Sequence, residues 1–284
     1  MSGGTGPETG TGPEIAAVDP EDREALLAVL RLIAERAGKE ILAYYVEAED
    51  IEVRHKADAS PVTEADEAAE AFILEALHTL TPNIPVVSEE AMAAGACPDI
   101  SGGRFWLVDP LDGTKEFLAR NKEFTVNIAL VERGAPVAGV VHAPALAMTW
   151  AGAGLGSATF SETDQPPMAV TARAIPDDGA VVVASRRHGD LTQRSRFLAD
   201  IVIKEQVQAG SSLKFCLVAT GKADLYPRFG RTMEWDTAAG HAVLLAAGGS
   251  VVRADDEATL TYGKPGFENP HFIARGKPPS PSFG

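Results

Sequence analysis

The chain has 284 residues, 45% of them apolar, with 40 Asp and Glu against 25 Lys and Arg and a formal charge of −15. A chain this long buries roughly three quarters of its unfolded surface, and its composition excludes collagen, coiled-coil arrays and wholesale disorder. The acidic balance argues against a nucleic-acid coat or an anionic-membrane binder, whereas a small phosphorylated substrate stays compatible if cations and backbone N–H groups sit at the site.

Residues 1–18 are rich in Gly, Thr and Pro and are expected to form a disordered tail; residues 276–284 read as a second, flexible one. Met1 to Glu8 has neither the basic start nor the apolar run of a signal peptide, and no segment approaches the ~18 apolar residues of a membrane span, so a cytoplasmic protein is expected. The first helix is predicted to open with Asp19 as N-cap and Pro20 at its first position, burying Leu26, Leu30, Ile33, Ala37, Ile41 and Tyr44. A second helix is predicted over 64–80. Short β-rich runs follow at 84–88, 105–108, 124–131, 137–142 and 147–151, with Glu132-Arg133-Gly134-Ala135 as a hairpin turn. Residues 153–176 lack periodicity and read as a junction. Beyond them, strands at 181–185, 201–207, 224–229 and 249–253 alternate with helices at 190–198, 212–220 and 237–247, and Gly221 and Gly248 stand where helix C-caps belong. The expectation is an α+β protein with one half at 19–153 carrying the site and an α/β half at 154–275.

The stretch from Phe105 to Thr114 carries the most chemistry. An apolar strand ends on Asp109, Pro110 stiffens the turn, and Asp112 follows, so two carboxylates can converge at the strand's C-terminal edge. Gly113 and Thr114 then offer backbone N–H groups to a phosphate and a hydroxyl to a water. Taken alone, a D-P-x-D-G turn is explained as well by Asp side chains capping neighbouring N–H groups. Context comes from Ser88-Glu89-Glu90 at an earlier strand end, from Thr63-Glu-Ala-Asp66 at the start of the second helix, and from Asp236 at the start of an apolar helix. Each has an ordinary account, as solvated loop, capping box or N-cap. Together they give hard oxygen ligands on separate elements with no Cys or His cluster, a set that suits Mg2+ and not zinc. Cys97 and Cys216 make neither a disulfide framework nor a thiolate site. His241, one turn beyond Asp236, is the one histidine placed near the site, with a structural role the commoner alternative.

Asp58-Ala-Ser-Pro-Val-Thr-Glu-Ala-Asp66, Ser88-Glu89-Glu90, Trp106-Leu-Val-Asp109-Pro-Leu-Asp112-Gly-Thr114 and Trp235-Asp236-Thr-Ala-Ala-Gly240 resemble, in order and spacing, the motif set of the inositol monophosphatase-like, lithium-sensitive, magnesium-dependent phosphatases. The resemblance spans about residues 20–275. Within that superfamily the chain is most similar to the bacterial 3′(2′),5′-bisphosphate nucleotidases, through Lys115-Glu-Phe117, Glu123-Phe-Thr-Val-Asn-Ile-Ala-Leu130, the Gly210-Ser-Ser-Leu-Lys214 run with its apolar continuation, and Asp224-Leu-Tyr-Pro-Arg-Phe-Gly230. It departs in its Gly-rich N-terminal tail and at Gly230-Arg231-Thr232, where related chains more often have proline.

The resemblance implies an αβαβα layered sandwich of the sugar-phosphatase type. It implies Mg2+-dependent hydrolysis of adenosine 3′,5′-bisphosphate (PAP) to AMP and phosphate, with its sulfated relative PAPS as a further substrate, in sulfur assimilation and nucleotide recycling. The alternatives are an inositol-1-monophosphatase and a catalytically inactive metal- or nucleotide-binding regulator. Glu89, Asp109 and the Leu111 carbonyl would hold one Mg2+, and Asp109, Asp112 and Asp236 a second; a third, water-rich ion near Glu89 stays open. Asp66 and Thr114 would activate the attacking water. Gly113 and Thr114 would cradle the scissile phosphate alongside Glu89, Leu111, Asp112 and Asp236, while Ser211, Ser212 and Lys214 would meet the nucleotide's other phosphate. A phosphorylated nucleotide is the implied partner, with no nucleic acid or membrane span, in a monomer or homodimer.

Overall fold

The computed structural model describes residues 15, 17–47, 53–55, 61–186 and 190–278. Most of the 1–18 tail, Asp58-Ala59-Ser60 of the first motif, and residues 279–284 lie outside them.

The chain opens with α1 (Arg23–Glu47), followed by β1 (Val53–His55), β2 (Pro61–Thr63) and α2 (Glu64–Leu80). α2 matches its predicted range, whereas α1 starts three residues later than Asp19 and Pro20 suggested. Asp19 closes a separate turn, accepting the Asp22 N–H on its carbonyl and the Glu21 N–H on its carboxylate. The Asp22 carboxylate then caps the helix by accepting the Ala25 N–H at 3.1 Å.

Next come β3 (Val86–Ser88), α3 (Glu89–Ala93), β4 (Arg104–Asp112), α4 (Thr114–Leu118), β5 (Thr125–Glu132), β6 (Ala135–Ala143), β7 (Met148–Gly152), β8 (Thr159–Glu162) and β9 (Met168–Ala169). The seven strands β3 to β9 form one sheet in chain order. The β5–β6 hairpin closes with Glu132 opposite Ala135, and both turn residues, Arg133 and Gly134, have positive φ. Residues 153–176, read from sequence as aperiodic, contain β8 and β9, so this sheet extends to Ala169. The signal was weak because β9 has two residues, both exposed.

The remainder is β10 (Ala180–Ala184), α5 (Leu191–Phe197), β11 (Ile203–Gln208), α6 (Leu213–Ala219), β12 (Leu225–Arg228), α7 (Ala238–Ala246), β13 (Ser250–Arg253) and β14 (Phe272–Arg275). These strands form a five-stranded sheet in the order β11-β10-β12-β14-β13, parallel on one side and antiparallel where β14 pairs both β12 and β13. Gly221 and Gly248 follow α6 and α7 with positive φ, in the C-cap places expected for them.

Layering follows from which face of each strand is apolar. Trp106, Val108, Ile128 and Val140 point to a core shared with α1 and α2. Phe105, Leu107, Ala129 and Val141 point the other way, into a core shared with α6, α7 and Phe272 of β14. On the outer face of the second sheet, Ala180, Val182, Leu225 and Ile273 pack with Leu198 and Phe197 around α5. The order is helices, sheet, helices, sheet, helix: the αβαβα sandwich. Among the described residues no helix is long and apolar enough to cross a membrane.

Candidate active site

The two acids of β4 share a face because the strand is irregular between them. Asp109 pairs with Asn127 and Asp112 with Thr125, three steps on one strand against two on its neighbour. In a regular strand Asp112 would sit on the α1–α2 face with Val108, since side chains alternate. The extra residue turns Asp112 to the face of Asp109 and sends Leu111 into the α1–α2 core instead. Pro110, which lacks a donor, is tolerated at this interruption. Gly113 follows with φ of +93°, and α4 begins at Thr114. A Cβ at Gly113 would overlap the Ser211 hydroxyl, so both backbone angle and space require glycine here.

Asp66 has two tasks, divided between its oxygens. Its Oδ2 accepts the Thr63 N–H at 2.8 Å and the Thr63 hydroxyl at 2.6 Å, within the capping box of α2. Its Oδ1 accepts the Thr114 hydroxyl at 3.3 Å. The same Thr114 Oγ1 lies 3.4 Å from the Leu111 carbonyl. Capping and a place in the site therefore coexist in one side chain that is 1% exposed.

Glu89 reaches this point because β3 runs parallel to β4, with Ser88 beside Val108, and α3 starts immediately after. Glu70 of α2 fixes that junction by accepting the Ser88 hydroxyl and the Ala91 N–H. Asp236 arrives from the second half, just before α7, its Oδ2 accepting the Met233 N–H at 2.8 Å. Glu89, Asp109 and Asp236 each bring a carboxylate oxygen to within 4.8 Å of the others. Asp112 stands beside them, its Oδ2 3.4 Å from the Asn127 amide and 3.2 Å from the Ser212 hydroxyl.

Gathering these acids is costly without a cation. Burial raises the Asp112 carboxyl to about 6, opposed by Lys214 and reinforced by Glu89. Burial also pushes Asp236 well above the carboxylate range, with Asp112 and Glu89 adding to it. Hard, mutually repelling oxygen donors with no nitrogen or sulfur among them suit Mg2+, so the residues present fit the ion.

Glu89, Asp112 and Asp236 border a cleft of about 400 Å3, lined also by Gly113, Thr114 and the Gly210–Ser211 turn. Ser211, Ser212 and Lys214, expected to meet a second phosphate, have most of their polar atoms engaged within the protein. The Ser211 hydroxyl lies 2.8 Å from the carbonyls of both Asp112 and Glu123. That of Ser212 lies 2.8 Å from the Asp236 carbonyl and receives the Asn127 amide at 2.9 Å. Lys214 is buried and donates to the carbonyls of Ala209 and Ser211; burial lowers its ammonium to about 8, against the pull of Asp112.

Glu123, Asn127 and Arg228 stand in stretches that carry the resemblance but were given no role from the sequence, and Arg186 was not singled out. Asn127 and Thr125 carried a readable signal, as polar residues on alternate positions of an otherwise apolar strand. Glu123 bridges the halves, accepting the Gly210 N–H at 2.8 Å and both ends of the Arg186 guanidinium. His241 is a core residue: wholly buried, its Nδ1 3.0 Å from the Tyr262 hydroxyl, it does not line the cleft. Of the thiols, Cys216 is buried and Cys97 exposed.

The inositol monophosphatase family model matches residues 22–276. A 3′(2′),5′-bisphosphate nucleotidase CysQ from Salmonella typhimurium is 48% identical over 241 residues, covering 84% of this chain and 95% of its own length. The crystal structure of CysQ from Bacteroides thetaiotaomicron superposes with a TM-score of 0.77 at 35% identity, covering 92% of this chain and all of that one. An inositol monophosphatase from Zymomonas mobilis gives a TM-score of 0.70 at 25% identity, covering 90% and 94%.

Proposed function

Since the chain belongs to the inositol monophosphatase family, we infer that it is a Mg2+-dependent 3′(2′),5′-bisphosphate nucleotidase, which hydrolyses adenosine 3′,5′-bisphosphate to AMP and phosphate. The observation that carries this reading is the convergence of Glu89, Asp109 and Asp236 beside Asp112 and the Asp66–Thr114 pair. The nucleotide preference is supported by the 48% identity to a bisphosphate nucleotidase over most of both chains.

Glu89, Asp109 and the Leu111 carbonyl would hold one Mg2+, and Asp109, Asp112 and Asp236 another. When bound, the ions supply positive charge to the oxygens that attack and leave during phosphoryl transfer. The remaining work falls to the chain itself. The Thr114 hydroxyl donates to Asp66 Oδ1, so its oxygen is left to accept a proton from the attacking water while its own proton passes to the carboxylate. Water adds to phosphorus as the ester bond to the ribose oxygen breaks, and that oxygen leaves as the alcohol of AMP, taking a proton from solvent water while Asp66 returns its own to solvent. The scissile phosphate would rest on the N–H groups of Gly113 and Thr114, at the left-handed turn that opens α4. An ammonium has three donors, and Lys214, with two carbonyl contacts, retains a third for the nucleotide's second phosphate. Ser211 and Ser212 serve that reading by shaping the turn.

Phosphate release with Mg2+ from the bisphosphate nucleotide and from inositol 1-phosphate tests the assignment. Faster release from the nucleotide is expected. Preference for inositol phosphate would make the chain an inositol monophosphatase, and release from neither would make it a binding protein.

A further inference from the structure

The cleft carries both signs of charge. Glu89, Asp112 and Asp236 cluster as its acidic end and Glu116 also lines it, while Lys115, Arg186, Lys214, Arg228 and Arg231 bring cations to it, in a chain of formal charge −15. Several of these cations are already committed to holding the protein together. Lys214 is buried against two carbonyls with one donor left for the second phosphate, Arg186 is clamped in two bonds to Glu123, and Arg228 donates to the Arg231 carbonyl at 3.0 Å.

Arg231 is placed differently. It is exposed on the segment between β12 and α7, and its Nε meets the Glu268 carboxylate at 3.1 Å. Both partners of that ion pair are more than half open to water, 58% and 57%, so the pair is easily exchanged for another anion. The segment is not loose, because the Arg228 side chain holds the Arg231 carbonyl and the Met233 N–H is bonded to Asp236. Arg231 thus stands two residues, at most about 7 Å of backbone, from a point fixed to the acidic end. A planar guanidinium with paired donors suits a phosphate better than a lysine does.

We propose that Arg231 is a specificity-determining residue, whose guanidinium exchanges Glu268 for the non-scissile phosphate of a bisphosphate nucleotide. The inference rests on the nucleotidase reading and deepens it: the acidic end selects a phosphomonoester, and Arg231 selects for a second phosphate on the same nucleoside.

The test compares kcat/KM with Mg2+ on adenosine 3′,5′-bisphosphate and on adenosine 3′-monophosphate for the wild type, Arg231→Gln and Arg231→Lys. The ratio of the two values is expected to fall about tenfold in Arg231→Gln, mainly through KM for the bisphosphate, and to recover in part in Arg231→Lys. A ratio within about twofold of the wild type in Arg231→Gln overturns the proposal, as does an equal loss on both substrates, which is what a merely structural role gives. Wild-type protein that releases phosphate from inositol 1-phosphate and not from the bisphosphate would overturn the nucleotidase reading together with this inference. Wild-type turnover of the bisphosphate with an unmoved ratio overturns the inference alone.

Discussion

Asp66 is the residue in which stability and chemistry are most closely joined, and its two oxygens allow them to be separated. Asp66→Asn keeps an oxygen for the Thr63 N–H but takes away the charge that receives a proton through Thr114. Turnover is expected to fall at least about a hundredfold, against a stability loss of about 1 kcal/mol, the size of a lost cap. Parallel measurement of kcat and a urea midpoint would decide; a large shift in the midpoint with modest loss of turnover would leave only the cap. Asp112 gives a prediction in pH. Its carboxyl stands at about 6 in the metal-free fold against an ordinary 3.8. A group raised by folding contributes its stability below the unfolded value and loses that contribution as pH climbs through the folded one. Metal-free protein in EDTA should therefore lose melting temperature between about pH 4 and pH 7 through this group. The gain in Tm on adding Mg2+ should grow over the same interval, because the ion needs the ionised form. Asp112→Asn should flatten the EDTA curve, shrink the Mg2+ gain and reduce turnover by about 10²- to 10³-fold. An unchanged Mg2+ gain in that variant would remove Asp112 from the ion's ligands.

At the level of elements, the irregularity in β4 and the turn at Gly113 decide whether the acids meet. Gly113→Ala would force a side chain into a left-handed backbone and against Ser211, across the seam between the halves. A loss of about 2–3 kcal/mol with a sharp fall in kcat is expected. Gly103 is the control: its φ is also positive, at +72°, but a Cβ there meets nothing within 4 Å. Gly103→Ala should cost only the backbone strain, about 1 kcal/mol, with kcat unchanged. Equal losses in the two variants, followed by denaturant titration, would show that contact with Ser211 contributes nothing. These elements also mark how far the sequence could be read. Helix α2 and strands β5 and β6 were legible because each is a periodic run with its own punctuation, whereas β4, read as 105–108, runs on to Asp112. The register shift between Asp109 and Asp112 was not, since a bulge exists only relative to the strand beside it. The late start of α1 has a similar origin: Asp19 and Asp22 are both competent caps, and the choice lay in a turn bond between them.

Across the whole molecule, the acids come from α2, β3–α3, β4 and the residues just before α7, so the site exists only when segments from Asp66 to Asp236 are packed together. Lithium, near Mg2+ in size with half its charge, is expected to inhibit by taking one of the magnesium positions. Turnover in millimolar LiCl beside equal NaCl, with Mg2+ present, checks this, and coincident curves would refute it. The order and spacing of the acids could be read in the sequence because they sit in short, self-contained turns. The partners of Ser211, Ser212 and Lys214 could not, because each is set by a contact between distant segments, such as Ser211 with Asp112 and Glu123. The same dependence on distant segments has a consequence for biosynthesis. Strand β14 is the last described strand in the chain, yet it lies between β12 and β13 within the second sheet. A polypeptide emerging from the ribosome holds that slot empty until residues 272–275 have been made. Any product truncated before them would carry two unpaired strand edges facing one gap, a template for pairing with another chain. Termination before Phe272 would thus be punished by aggregation and proteolysis, well before any question of catalysis arose.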